Sequence, residues 1–195
     1  MLHLFRPSEE KQRFILRSAV DAPACSPCML SLEKGLIDML PTGFVHDVSK
    51  SFLGRGRSVF EAARQGLLSW EQFNLGWVRV VNRDATITPG QVVAVEAHTA
   101  FLWSTNLSRI VETLDNPDHF GFLYTTTAIH VEEGQERFVI HFDPATQLVS
   151  YLIEAVSRPR HQLARMAYSF SRSMQRRFAK DSHARMKQLC ASRAT

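Results

Sequence analysis

The stretch from Gly121 to Phe138, GFLYTTTAIHVEEGQERF, sets His130, Glu132, Glu133, Glu136 and Arg137 close together behind a run of aromatics and threonines. An imidazole beside a carboxylate is a unit for proton transfer, because the carboxylate raises the imidazole pKa and fixes its tautomer, as a general base requires. With a turn centred on Glu133, His130 faces Glu136, Ala128 faces Phe138 and Thr126 faces Ile140. Alternation then gathers Phe122, Tyr124, Thr126, Ala128 and His130 on one face with Glu136, Phe138, Ile140 and Phe142. A greasy surface with a few convergent polar groups is how small-molecule pockets are built. The competing account is a cross-strand polar pair that closes the hairpin and catalyses nothing. It is preferred, since perturbed pairs are also common in plain structure. No catalytic residue is therefore assigned; His130 and Glu136 are the candidates.

Other strands carry Glu96, His98, Glu112, Glu154 and Arg158, and alternation alone does not fix which sheet face is inside. A buried Glu154 needs a partner, Arg158 or Arg109. Asn106, Arg109, Ser157 and Arg158 either orient a polar ligand head at a cavity mouth or hold a turn and a strand-to-helix junction. The structural account is preferred, Pro159 being well suited to a first helical position. Cys25-Ser-Pro-Cys28 has dithiol spacing, but no parallel strand–helix unit accompanies it. Cys190 is distant and His46 is a poor fourth zinc ligand, so neither metal nor cofactor is expected. Gly54-Arg55-Gly56 is too short for a phosphate loop. The tryptophans and Tyr168 read as core or pocket wall, so no specific nucleic-acid partner is predicted.

The elements that hold these residues follow from periodicity. SEEKQRFILRSAV predicts a short helix capped by Ser8, and DAPACSPC a loop. Leu32, Leu36 and Leu40 predict a second helix, stopped by Pro41. GFVHDVSKSFLG is a first strand. Capping boxes at Ser58–Glu61 and Ser69–Gln72 predict two short helices hinged near Gly66 to Ser69. From Trp77 to Val156 the period is two. Six segments, WVRVVN, QVVAVEAH, NLSRIVETL, FGFLYTTTAI, ERFVIHF and LVSYLIEAV, are punctuated by Pro89-Gly90, Asn116-Pro117-Asp118, Glu133-Gly134 and Asp143-Pro144. Short connections make this an antiparallel meander. Beyond Pro159, the residues Leu163, Ala167, Phe170, Met174 and Phe178 form the apolar stripe of a long helix. A break is expected at Asp181-Ser182.

The order is α+β: a curved antiparallel sheet of about six or seven strands wrapped around a long C-terminal helix, with two short helices after the first strand. This resembles the helix-grip arrangement of START-like and birch-pollen-allergen-like proteins. The domain spans 41–187, after a helical extension over 1–40 and before a disordered tail over 188–195.

With 45% hydrophobic and 22% charged residues in 195, the composition is that of one globular domain with a real core. No apolar run reaches the roughly 18 residues of a membrane span, no secretion signal opens the chain, and three cysteines fit a reducing cytosol. From Ser157 onward ten Lys or Arg face one acid, Asp181, whereas the remainder holds 13 basic and 18 acidic residues. Such asymmetry seeks an acidic surface, in a partner or in this chain's own sheet; the second is preferred.

Several pieces, in order, resemble one family: PTGFVHD, LGRGRSVFEAARQGLLSWEQFNLGWV, NLSRIV, GFLYTT, His130 ahead of GQERF, Ser157-Arg158-Pro159 and Gln175-Arg176. The chain is similar to the bacterial and plant proteins grouped as domain of unknown function nineteen-ninety, from about Pro41 to about Arg177. The resemblance implies a helix-grip fold and no established activity. Where the family pattern has two acids after the hairpin glycine this chain has Gln135 and Glu136, which weakens any chemistry that needs both carboxylates.

The reading that follows is a binding module for a small hydrophobic molecule, lipid-like or aromatic, held in an internal cavity. The expected ligand residues are Phe122, Tyr124, Thr126, His130, Glu136, Phe138, Ile140, Arg158 and Phe170. The alternatives are an enzyme using His130 and Glu136, or an adaptor meeting an acidic partner through its basic C-terminal helix.

Overall fold

The computed structural model describes residues 1–19, 22–23, 28–36, 39–128, 130, 132–159 and 168–192. Period-two patterning becomes an antiparallel sheet of β4 (Val45–Arg55), β5 (Val78–Val80), β6 (Val92–Thr99), β7 (Leu102–Asp115), β8 (His119–Thr126), β9 (Glu132–Phe142) and β10 (Leu148–Pro159). The order is β4-β10-β9-β8-β7-β6-β5, with a short β1 (Leu2–His3) added beside β7. Helix α1 (Glu9–Ala19) precedes the sheet, α2 (Arg57–Leu68) and a 3-10 turn over Glu71–Phe73 follow β4, and α3 (Tyr168–Ala191) ends the chain. No helix among the described residues is long and apolar enough to cross a membrane.

The sheet curls, and α3 closes it between edge strand β4 and the 3-10 turn. On one side Tyr151 and Ser182 hydroxyls meet at 3.0 Å, and the His183 ring lies between the hydroxyls of Ser49 and Ser51, each 2.8 Å away. On the other, Trp77 Nε1 donates to Asp181 at 2.9 Å and Phe178 stacks on Phe73. This is the helix-grip arrangement.

The centre of the grip, expected to hold an apolar cavity, is packed with rings. Phe122 lies 5.1 Å from Phe138 and 5.3 Å from Trp70, and Phe73 lies 5.4 Å from Phe138, centroid to centroid. Phe60, Ile140, Tyr151 and Met186 are fully buried around them. Two shallow hollows, one beside Glu112 and one along α1, are on the outside.

Several elements differ from expectation. The run SLEKGLIDML is not a helix where described but a hairpin of β2 (Leu30–Ser31) and β3 (Gly35–Leu36); Ile37 and Asp38 lie outside the described residues. The Arg137 guanidinium takes the carbonyls of Ser31 and Leu32, acceptors that a helix would have used for itself. Gly35 turns the hairpin at φ +75° against Arg137 and Glu154, where no Cβ fits. The first helix is capped by Gly56, not by the Ser58 side chain, and Ser69 ends that helix instead of starting another. Gln72, expected to reach back to Ser69, is fully buried, and neither amide atom finds a partner among the described residues. The C-terminal helix does not break at Asp181-Ser182. Ser182 and His183 turn inward because hydroxyls across the groove satisfy them, and the helix runs through Gln188 to Ala191 with Cys190 buried, in place of a disordered tail from 188. Leu163 and Ala167 of the expected stripe lie outside the described residues.

Candidate functional site at the mouth of the grip

The strand register decides which polar residues meet. Tyr124 stands opposite Glu136, Phe122 opposite Phe138 and Phe120 opposite Ile140, so the β8–β9 hairpin turns about His130, not about Glu133. Gly134 lies within β9 because β10 passes too close for a side chain: a Cβ there would collide with the Val156 carbonyl oxygen and with Ser157. The shift is by an even number of residues, so every side chain keeps its expected face while its partner changes.

Glu136 thus meets a phenol instead of an imidazole. The Tyr124 hydroxyl donates to Glu136 Oε2 at 2.5 Å. The same rung continues through Ala155 to Asp47 on one side and Ile110 on the other. The first turns of α3 lie over this rung. Gln175 Nε2 donates to Glu132 Oε2 at 2.8 Å and to Ser157 Oγ at 3.1 Å. The Ser171 hydroxyl also donates to Glu132, and Arg172 forks onto Asp47 while donating to Gln175 Oε1 at 2.7 Å.

Burial pushes the Glu136 carboxyl up to about 7, with the negative charges of Glu132 and Asp47 adding to the rise and the Tyr124 hydrogen bond opposing it. The Tyr124 phenol is raised well above its ordinary value by burial and by Glu136. Glu136 is only half-buried, so a group that exchanges its proton near neutrality remains within reach of solvent at one end of the grip. On β7, on the strand face shared with Ile110, Asn106 donates from Nδ2 to Ser104 Oγ at 3.3 Å. Its buried Oδ1 has no partner among the described residues. An acceptor desolvated without a hydrogen bond is costly, and a ligand donor relieves that cost.

The other expected ligand residues are dispersed. Phe122, Phe138 and Ile140 are fully buried core, and Thr126 Oγ1 accepts from the Gly134 N–H at 3.0 Å. His130 sits in the turn, its Nδ1 accepting from the Glu132 N–H at 3.0 Å. Arg158 is on the outer face, over the Phe44 ring and donating to Glu133 at 3.0 Å, since even-numbered positions of β10 point away from the grip. Phe170 is exposed.

Glu96, Glu112 and Glu154 also lie outside, the first two held by the N-terminal extension. Glu154 pairs with Arg137 and, at 2.7 Å, with His46, so neither Arg158 nor Arg109 is its partner. Glu112 accepts from the Leu32 N–H, and Glu96 from Gln12, Arg79 and Arg6. Arg109 donates to the carbonyls of Gly90, Ala19 and Ala22. Sequence reasoning missed Asp47, Ser171 and Gln175; Asp47 and Gln175 belong to the family-like fragments, which was the available signal. Among the described residues no three His, Cys, Asp or Glu side chains are grouped to hold a metal ion, and Cys25 lies outside them.

A curled antiparallel sheet closed by a C-terminal helix, with polar residues at one end, defines a helix-grip protein. Its backbone is similar to that of the Zhui aromatase/cyclase from Streptomyces sp. R1128, with a TM-score of 0.56 at 10% identity over 78% of this chain and 96% of that one. Residues 32–185 match the family described as Domain of unknown function (DUF1990), and the chain belongs to that family. A UPF0548 protein of Dictyostelium discoideum is 30% identical over 161 residues, 77% of this chain and 74% of that protein. One from Deinococcus radiodurans is 29% identical over 95% of this chain and 96% of its own length.

Proposed function

We propose that this chain binds a small molecule with a polar head and an apolar body, the head seated at the mouth of the grip by Asn106, Tyr124 and Glu136. The observation that carries this is the unsatisfied polarity there. Asn106 Oδ1 is buried without a donor among the described residues, and Glu136 is held near its protonation midpoint with solvent in reach. Filled by rings, the centre of the grip contributes a wall to the ligand's body. Native mass spectrometry of the purified chain tests the reading. A co-purifying small molecule is expected in the wild type and depleted in Asn106→Ala and Glu136→Ala variants that keep the wild-type circular dichroism and a cooperative unfolding transition. The reading fails if no adduct forms and a panel of lipid-like and aromatic compounds leaves the NMR signals of Tyr124 and Asn106 unmoved.

A second reading, acid–base catalysis at the same mouth, rests on the Glu136 pKa of about 7. The likeness in fold to an aromatase/cyclase supports it by analogy alone. The adaptor reading draws less support, because Arg172, Arg177 and Arg185 of the basic helix are paired with Asp47, Asp181 and Glu71 of the same chain.

A further inference from the structure

Strand β6 returns to β7 through a turn in which two residues other than glycine, Ala100 and Phe101, adopt left-handed backbone angles, with φ of 46° and 69°. Such angles are unfavourable for side chains of this size and persist where something else requires them. Here they project the Phe101 ring into solvent, 91% exposed, at the point of the hairpin. Beside it runs the start of the chain. Strand β1 pairs Leu2 with Ser104 and His3 with Trp103, two residues from Phe101; the chain then bends at Leu4 and Phe5, and Arg6 returns over the Trp103 ring. Leu2, Leu4 and Phe5 are exposed by 65%, 74% and 85%. Helix α1, seated on β6 through Ile15 and Ala19, presents Phe14 outward, 71% exposed, between Arg13 and Arg17.

Isolated exposed apolar side chains need no explanation, but five gathered on a hairpin tip and its neighbours do. Their shape and surroundings select the occupant. They stand on separate segments, β1 with the bend after it, α1 and the β6–β7 tip, and an acyl–headgroup layer accepts such side chains without a matching pocket for each. Exposed Arg6, Lys11, Arg13 and Arg17 stand around them against Glu9 and Glu10; Arg6 is tied to Glu96 and Arg13 to Glu9, and the positive charge left in excess suits anionic headgroups. The arrangement also has a direction. Thr126, where β8 ends, stands opposite Ser108, so the β6–β7 tip, the β8–β9 turn and the first turns of α3 all lie at one end of the grip.

We infer that the β6–β7 hairpin tip, together with the N-terminal strand beside it, docks onto the surface of an anionic lipid bilayer. This does not depend on the ligand reading above. The test is flotation of the full chain with phosphatidylcholine vesicles made with and without phosphatidylserine. Wild type is expected to float with the phosphatidylserine vesicles and to bind less as salt is raised. A Phe5→Ser, Phe101→Ser double variant with unchanged circular dichroism and melting temperature is expected to bind at least roughly tenfold less, the loss set by two exposed rings that no longer leave water. Failure to float with either vesicle overturns the inference, as does equal flotation with both or binding unmoved by the substitutions. A dimer in sedimentation that the same substitutions dissolve, without vesicle binding, assigns the surface instead to a second copy of this chain.

Discussion

Gln135, Glu136 and Arg137 are consecutive on β9, and the sheet sends the first and third to one face and the middle one to the other. Outside, both are answered. Gln135 Oε1 accepts from the N–H groups of Met29 and Leu30 at 2.7 and 2.9 Å. Arg137 pairs with Glu154 and takes two carbonyls of the extension. Inside, Glu136 has one neutral donor, two carboxylates nearby and partial access to water. Polar groups saturated by backbone read as staples, because removing either partner strands the other in a dry place. A polar group held in the wrong charge state by its surroundings reads as a site.

The contrast can be broken by experiment. Arg137→Met leaves Glu154 buried with His46 alone and strips donors from Ser31 and Leu32, so a loss of about 3–5 kcal/mol is expected in urea unfolding. Glu136→Gln is expected to act in the opposite direction. Its pKa is about 7 folded against an ordinary 4.5, so the folded state holds a proton that the unfolded state releases. The stability due to that group is complete below pH 4.5, declines between 4.5 and 7 and is gone above. The uncharged variant is therefore more stable than wild type by about 2–3 kcal/mol at pH 8, with the gain vanishing in acid. Denaturation of both proteins across pH measures this. A variant that is instead destabilised at pH 8 makes the inner face as structural as the outer. Tyr124→Phe has the smallest effect, about 1 kcal/mol. Loss of the donor that favours the carboxylate moves the Glu136 midpoint above 7, followed by carboxyl NMR titration.

Strand order was legible, and so was which residues of a strand share a face, because period-two alternation survives most errors of pairing; which face is inner was not. The hairpin slip shows the limit. Glu133-Gly134 has turn composition, yet the glycine is there for a neighbouring strand, a reason that lives in another part of the chain. The true turn, around His130, carries no glycine or proline to announce it. Glu96 and Glu112 were ambiguous because they take partners from the extension, Gln12 and the Leu32 N–H, whose pairing no local pattern encodes. Asp181-Ser182 looked like a helix break for the same reason: hydroxyls from β4 and β10 make Ser182 and His183 acceptable inside. The mouth was half legible. Its residues were on the page as family fragments, but only the register and the crossing of α3 bring Asp47, Glu136 and Gln175 together.

In the sheet β4 pairs with β10 alone, Val45 meeting Ser157. The first long strand to leave the ribosome therefore waits for a partner synthesised roughly a hundred residues later, and for the helix after that, before its edge is covered. Closing the grip joins distant parts of the chain, so a nascent chain stalled before β10 presents a bare strand edge, the kind of surface that recruits chaperones or aggregates.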